Sequence, residues 1–292
     1  MSISSIHPIA TAIYYVSVLV FPMFTLNPLL QVCSLLGSFC YFLKIQSKII
    51  KAKDFVFPCL LFLIMTFGNP LFSHNGATIL FYMNSNPITA ESLLYGLNVG
   101  VMLIAVLFWF RSFSVVMTED KLLCVFGKLS PKLTLVISSS LRFVPLIKRR
   151  YETIAMAQKG LGLFSSDSWV DKIKSKLRVF NALIGCGIEK AVETGSSMRG
   201  RGYGLKNRTH YSVFRFTKQD AIIVAIILLT DVIMFYGLYS GAFAFEFYPS
   251  IVFTEFSANT IIALCAYALL SFLPLILEVK EALQWRYYRS KI

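Results

Sequence analysis

The sequence has 292 residues, is 56% hydrophobic, and carries 28 lysines and arginines against 15 acidic residues. Its mean hydropathy of +0.67 excludes an ordinary soluble domain. Several uncharged runs approach the ~20 residues that cross a bilayer as a helix. Because an open sheet cannot pair its backbone groups in lipid, the composition predicts an all-α, polytopic membrane protein.

The first uncharged run covers residues 9–43. As a single helix it would measure about 52 Å, well beyond a hydrocarbon core of ~30 Å. Asn27-Pro28 interrupts the run near its middle, where proline ends a helix. We therefore predict two spans, over 9–26 and 28–43, and a partly re-entrant hairpin also fits their short lengths. The lysine-rich residues 44–53 form the next loop.

The remaining spans are predicted from four further hydrophobic segments. They are residues 55–73, 93–110, 221–239 and 257–277. An uncharged loop over 74–92 carries turn signals at 74–76 and at 84–87. The prediction is about six transmembrane helices in three regions. These regions are four helices in 1–116, a long polar insert at 117–218, and two helices with a basic tail in 219–292.

The distribution of charge predicts the orientation. Every lysine and arginine lies in residues 44–53, 111–218 or 280–292, and the loops at 74–92 and 240–256 have none. Under the positive-inside rule, the insert and both termini are cytoplasmic in a multi-pass protein of a bacterial or archaeal cell membrane. Membrane topology accounts for the net charge of +13, so the predicted partner is the lipid bilayer and no nucleic acid is expected.

The insert begins with a predicted amphipathic helix. Ser130-Pro131 starts it, Pro145 kinks it, and Gly160 with Gly162 ends it. Its apolar side chains recur at intervals of three and four residues. They are Leu133, Val136, Ile137, Leu141, Val144, Ile147, Tyr151 and Ile154.

A second amphipathic helix follows in the insert. Ser168 begins it, with Asp171 as the second half of a capping box, and it stops near Gly200. Gly185 and Gly187 are expected to interrupt it. Its apolar stripe comprises Val170, Ile173, Leu177, Phe180, Ile184, Ile188 and Ala191.

Both helices end in a small residue, a variable residue, a cation and a glycine. The two stretches are Ala157-Gln158-Lys159-Gly160 and Ser197-Met198-Arg199-Gly200. One interpretation is plain capping, because a glycine just past a helix and a cation in its last turn both stabilise the C-terminus. The other is docking, in which a charged side chain at an uncluttered helix end enters a groove on a partner. Spacing alone leaves both open.

These stretches resemble the T component, the transmembrane coupling subunit of energy-coupling factor (ECF) transporters, in the CbiQ-like family. That family carries two Ala-x-Arg-Gly signatures at the ends of cytoplasmic coupling helices. Ser197-Met198-Arg199-Gly200 matches with serine for alanine, and Ala157-Gln158-Lys159-Gly160 with lysine for arginine. The stretches 141–145, which includes Arg142 and Pro145, and 202–204 also resemble the family. Lysine keeps the charge at position 159 but lacks the planar fork of arginine.

The resemblance implies a mechanism in which this chain is a non-catalytic subunit. Two cytoplasmic ATP-binding-cassette (ABC) ATPases would each receive one helix end. A small membrane S component, which binds a vitamin or a transition-metal ion, would rest on the insert and reorient when the ATPases close. The chain itself would then be no enzyme, with no cofactor and no metal site. In agreement, no G-x-x-x-x-G-K-[ST] loop occurs, and the glycine-dense stretch 200–204 follows a helix where a phosphate cradle follows a strand.

Two polar residues, Asp231 and Arg142, each allow two interpretations. Asp231 lies within the fifth hydrophobic span, where an ionisable group is a candidate ion relay. A stand-alone secondary carrier with Asp231 as its ion-coupling site is therefore the alternative function, against a protonated or hydrogen-bonded side chain that faces the bundle. Arg142, beside three serines, is either a packing anchor between the two insert helices or part of a solvated face. An integral membrane enzyme lacks a candidate catalytic constellation.

Overall fold

The computed structural model describes residues 3–46, 53–83, 86–162, 168–205, 214–252 and 257–291. Its contacts divide the chain into two compact units. We call Met1–Leu122 together with Phe214–Ile292 the membrane unit, and Leu123–Val213 the insert unit. Each is described by itself.

The described residues form nine α-helices, a short 3-10 helix and one hairpin. The 3-10 helix covers Ile3–Ser5, and the α-helices are α1 (Pro8–Phe24), α2 (Pro28–Gln46), α3 (Lys53–Phe72), α4 (Ala90–Val116), α5 (Glu119–Leu129), α6 (Pro131–Gly160), α7 (Trp169–Gly200), α8 (Lys218–Tyr239) and α9 (Ala258–Arg289). Strands β1 (Ile79–Met83) and β2 (Asn86–Thr89) pair antiparallel. Five helices, α2, α3, α4, α8 and α9, are long and apolar enough to span a membrane, and α1 is a shorter apolar helix. The predicted all-α, polytopic fold is confirmed.

The predicted loop at 74–92 is partly wrong. It contains the β1–β2 hairpin, and α4 begins at Ala90 because the Thr89 hydroxyl caps it by accepting from the Ser92 N–H. The helix also continues past residue 110, the predicted end of the span, and ends at Val116. The predicted turn at Asn84 and most of the basic loop at 44–53 lie outside the described residues.

The break at Asn27-Pro28 is confirmed by the turn between α1 and α2. The Asn27 Oδ1 accepts from the Leu29 N–H at 3.1 Å and so starts α2. The Gln31 amide donates to the carbonyls of Pro22 and Thr25, both at 2.7 Å. Buried carbonyls at the end of α1 are therefore satisfied by a side chain of α2.

A proline inside α1 is compensated by α9. Pro22 has no N–H, so the carbonyl four residues earlier, at Val18, lacks its helical donor. The Tyr267 hydroxyl, fully buried on α9, donates to the Val18 oxygen at 3.3 Å. This bond fixes α9 against the middle of α1.

Small residues allow α3 and α4 to approach closely. A Cβ at Gly96 would lie 2.8 Å from the backbone oxygen of Met65, and one at Gly100 would lie 2.8 Å from the Phe62 ring. The four-residue spacing places both glycines on one face of α4, as in small-residue packing of membrane helices. The Asn69 amide adds a hydrogen bond of 2.7 Å to the Ser92 carbonyl.

One buried carboxylate joins the starts of α1 and α8. Asp220 accepts from the backbone N–H of His7 at 3.0 Å and from both the N–H and the hydroxyl of Thr217, at 2.8 and 2.7 Å. Thr217 and Asp220 form the capping box of α8. The sequence interpretation missed this network, because its partners are more than two hundred residues apart.

In the insert unit, α6 packs against α7, and the buried residues of α7 are Ser175 and Val179. Helix α7 is continuous, so the predicted interruption at Gly185 and Gly187 is wrong. Two glycines cost only about 1 kcal/mol each in a helix of 32 residues. Ser168 is its N-cap residue, but the predicted capping bond from its side chain is not formed.

Candidate functional site

The two helix ends of the insert unit have the same backbone conformation. At the end of α6, the Leu161 N–H donates to the Ala157 oxygen at 3.1 Å, and the Gly162 N–H to Lys159 at 3.0 Å. At the end of α7, the corresponding bonds join Arg201 to Ser197 and Gly202 to Arg199, at the same distances. Gly162 and Gly202 share a φ of +74°. The same local backbone structure therefore occurs at the end of α6 and at the end of α7.

The capping glycines are not those of the two motifs. Gly162 and Gly202 occupy the left-handed position that ends each helix. After α7, the N–H of Tyr203 also donates to Met198 at 3.1 Å, which completes a Schellman motif. Gly160 and Gly200 are the last helical residues, so capping does not explain them.

No steric contact within the described part of the chain requires glycine at positions 160 and 200. A Cβ built at either position would have no heavy atom within 4 Å among the described residues. A glycine in a helix costs roughly 0.5–1 kcal/mol relative to alanine. Such a glycine is typical of a helix end that another backbone approaches closely.

The cations of both ends are exposed to solvent. Lys159 and Arg199 lie in the last turns of α6 and α7, where a positive charge also interacts favourably with the helix dipole. Ala157 and Ser197, one position before the variable residue, are exposed as well. Each end therefore offers an exposed cation, with a small residue two positions before it and a glycine directly after it.

One acidic group lies near the end of α7. The pKa of the Glu193 carboxyl is held below its usual range, first by the hydrogen bond from Lys190 Nζ at 2.7 Å. The positive charge of Arg150 on α6 lowers it further. Glu193 is thus an anion that is already paired within the unit.

The two other predicted residues of the insert lie away from these ends. Arg142 is exposed on α6, with its guanidinium 5.7 Å from the ring centre of the adjacent Phe143. Helix α6 continues through Pro145, and the expected kink remains a prediction.

The predicted apolar stripes of α6 and α7 are largely exposed. On α6, Leu133, Val136 and Val144 are uncovered, and on α7 Leu177, Phe180 and Ile188 are uncovered. Monomeric soluble proteins rarely expose such continuous apolar surface. The insert unit, as described, thus leaves apolar surface uncovered along both helices.

Asp231 of α8 has a specific partner on α1. Its Oδ2 lies 2.6 Å from the Ser17 hydroxyl, which also lies 3.0 Å from the Ile13 carbonyl. The other carboxyl oxygen has no hydrogen-bond partner among the described residues. The Ser17 hydroxyl is the donor within reach of both Asp231 Oδ2 and the Ile13 carbonyl, and its single proton can bond to only one of them at a time.

Comparisons with known proteins identify the family of this chain. The family model CbiQ, described as cobalt transport protein, matches residues 2–211. The energy-coupling factor transporter transmembrane protein EcfT of Staphylococcus aureus is 27% identical over 196 residues, which cover 63% of this chain and 73% of that protein. EcfT of Bacillus selenitireducens is 27% identical over 224 residues, or 72% and 83%. EcfT of Bacillus subtilis is 31% identical over 107 residues, or 36% and 40%.

The family match covers well over half of the chain and includes both helix ends. It extends from the first membrane helices through the insert unit. The resemblance inferred from the sequence is therefore confirmed. This chain belongs to the CbiQ family and is a transmembrane T component of the ECF transporter class.

Proposed function

We propose that the ends of α6 and α7 each dock on one of two cytoplasmic ABC ATPases and transmit their ATP-driven motion. The observation that carries the proposal is the repeated local structure. Two helix ends with matching hydrogen bonds each present an exposed cation beside a helical glycine that no contact among the described residues requires. A pair of equivalent ends suits a pair of equivalent ATPases.

The charge of each end supplies the specificity of this contact. Lys159 or Arg199 would enter a groove that contains carboxylates, and Gly160 or Gly200 would let the groove wall approach the helix backbone. Arginine forms bidentate bonds to carboxylates, whereas lysine acts as a point charge. The end of α7 is therefore the stronger contact.

The apolar stripes of α6 and α7 are the proposed support for a small membrane S component. This component would bind a vitamin or a transition-metal ion and reorient when the ATPases close. Exposed apolar side chains at intervals of three and four residues suit a partner that is itself embedded in lipid. The chain would bind neither ATP nor the transported substrate and would catalyse no reaction.

The proposed orientation places the insert unit and both termini in the cytoplasm of a bacterial or archaeal cell. It is supported by the lysines and arginines, all of which lie on the segments assigned to that side. The uncharged β1–β2 hairpin would then face the exterior.

Charge reversal of the helix ends tests the docking proposal. Loss of one partner of a buried charge pair costs ~2–5 kcal/mol, or roughly 30-fold or more in affinity. We expect Arg199→Glu to detach or uncouple one ATPase, Lys159→Glu to do so more mildly, and the double variant to lose both. The measurements are ATPase co-purification and ATP-driven uptake at equal membrane abundance. Wild-type values in the double variant would mean that both ends are ordinary helix termini that bind no ATPase.

A pair of glycine variants separates docking from capping. Gly200→Ala meets open space and an ordinary helical backbone, so it should leave the chain as stable as before or slightly more stable. If a groove wall touches this glycine, the same variant weakens ATPase binding. Gly202→Ala, at a φ of +74°, is the control that disturbs the cap itself. Normal ATPase binding by Gly200→Ala would contradict the close approach.

A second experiment tests the S-component surface. The double variant Leu177→Ser with Ile184→Ser removes two exposed apolar side chains, and Val179→Ser alters a buried one. We expect the double variant to lose the S component on co-purification with little change in the unfolding midpoint of the chain. Val179→Ser should lower that midpoint. Retention of the S component by the double variant would mean that the stripe faces another partner.

A further inference from the structure

The β1–β2 hairpin is attached rigidly to the start of a membrane-spanning helix. The Ala90 N–H donates to the Thr78 oxygen at 3.0 Å, and the Thr78 N–H donates to the Glu91 carboxylate at 3.2 Å. Gly76 has a φ of +142°, and a Cβ there would lie 2.6 Å from Glu91 Oε2. The base of the hairpin therefore sits directly on the first turn of α4.

The hairpin is held from a second side as well. The Ala77 N–H donates to the Pro249 oxygen at 2.9 Å, which ties the hairpin base to the segment between α8 and α9. The hairpin also follows α3 after a short link that starts at Ser73. Because α3 and α4 both belong to the membrane-spanning set, the hairpin must lie near a membrane surface, at the end of α4 opposite Arg111.

Strand β1 exposes apolar side chains on both of its faces. Ile79 is 48% exposed, Leu80 58%, Phe81 54% and Tyr82 68%. The register shifts between Ile79 and Phe81, but Phe81 and Tyr82 lie in the regular part of the ladder, and successive residues of a regular strand point to opposite sides. A docked protein would cover one of these faces, whereas an environment that surrounds the strand covers both.

The absence of charged residues in the hairpin and the exposed end of α3 favour lipid as that environment. Residues 74–90 contain no lysine, arginine, aspartate or glutamate. Phe72, at the end of α3 from which the chain enters the hairpin, is 89% exposed on a membrane-spanning helix. Exposed apolar side chains therefore occur both at this helix end and on the hairpin that follows it in the chain.

The strand edge sets the depth of the hairpin. Among the described residues, β1 pairs with β2 alone, so its outer edge presents unpaired backbone groups. Such groups cost several kcal/mol each in the hydrocarbon core, and they are hydrated at the level of the headgroups. Aromatic residues such as Tyr82, with an apolar body and a polar tip, also prefer that level.

We propose that the β1–β2 hairpin is an interfacial anchor whose β1 side chains insert at the boundary between headgroups and acyl chains, in the leaflet away from Arg111. The bilayer is its partner. Through its bonds to α4 and to the α8–α9 segment, the anchor holds those elements at a fixed depth. The inference requires only that the helices span the membrane, and it is independent of the docking of ATPases.

Fluorescent labels on neighbouring residues test this anchor. The protein, with its native cysteines replaced by alanine, receives single cysteines by Phe81→Cys or Tyr82→Cys, on opposite faces of β1. Each is labelled with a polarity-sensitive dye in phosphatidylcholine vesicles. Ser250→Cys, exposed in the α8–α9 segment, is the aqueous control, and Val232→Cys, exposed on α8, is the acyl-chain control.

We expect iodide to quench both β1 labels at least about 3-fold less than the Ser250 label, since interfacial side chains are shielded from bulk water. Lipids with a nitroxide near the headgroup should quench the β1 labels more than lipids with a nitroxide near the chain end, and the Val232 label should show the reverse order. Iodide quenching equal to that at Ser250 would overturn the proposal. Protection from both quenchers, or lipid quenching at only one of the two β1 sites, would also overturn it and indicate a protein partner.

Discussion

The membrane unit and the insert unit use their apolar side chains in opposite ways. In the membrane unit, the largest buried side chains converge on Trp109, whose ring centre lies about 6 Å from those of Tyr14 and Tyr41. Its indole N–H donates to Ser34. In the insert unit, the apolar stripes of α6 and α7 are exposed, and the buried positions of α7 are a serine and a valine.

This difference indicates which unit is complete by itself. Buried hydrogen bonds, close glycine contacts and aromatic packing hold the membrane helices to each other. The insert helices have a stable local structure at both ends but leave surface for other subunits. A change in the first unit should therefore alter stability, and a change in the second should alter assembly.

The largest expected effect comes from a substitution that disrupts the contact between α3 and α4. Gly96→Leu forces a side chain against the backbone oxygen of Met65, so it should destabilise the chain by about 1–3 kcal/mol or more. Gly187→Ala in α7, where the chain leaves open space, should instead stabilise by about 0.5–1 kcal/mol. Unfolding by sodium dodecyl sulfate in mixed micelles measures both. Equal effects would show that the two units do not differ in packing.

A smaller effect is expected from the carboxylate that joins α1 to α8. Asp220→Ala leaves the His7 N–H and the Thr217 donors without their acceptor, so we expect a loss of about 2 kcal/mol in the same titration. Glu193→Ala, an exposed carboxylate of the insert unit, should change the unfolding midpoint little. An Asp220→Ala protein as stable as the wild type would contradict the role of this network.

The smallest effect is expected at Asp231. The amide oxygen of an asparagine can accept the hydrogen bond from Ser17 as the carboxyl oxygen does, so Asp231→Asn should change stability by less than about 1 kcal/mol. ATP-driven uptake should continue, because the T-component assignment requires no proton transfer through α8. Loss of uptake with normal assembly and normal ATPase activity would restore the ion-coupled carrier hypothesis.

Much of the fold follows from patterns within single segments. The hydrophobic runs predicted the membrane helices, and Asn27-Pro28 predicted the break between α1 and α2. The interruption at Gly185 and Gly187 was wrong, because helix propensity is a weak preference that neighbouring residues in a long helix outweigh. The hairpin was missed because β1 is a continuous apolar run without the alternation that marks a half-buried strand.

The candidate site was predictable in part. The small-x-cation-glycine spacing located both helix ends, but it did not distinguish capping from docking. The left-handed residues proved to be Gly162 and Gly202, two positions later than the motif glycines. Backbone dihedral angles show that Gly160 and Gly200 are helical and do not form the caps, and docking at these ends is the proposal that the variants above test.

The sequence by itself determined the class of the protein, its membrane spans, the segregation of its positive charges and its family, since these depend on local composition and order. Tertiary structure alone decided which polar groups pair: Asp220 with His7, Asp231 with Ser17, and Tyr267 with Val18. Each pair joins residues more than two hundred positions apart. Buried polar groups need partners in an apolar interior, and only the packing of helices decides which partner is near.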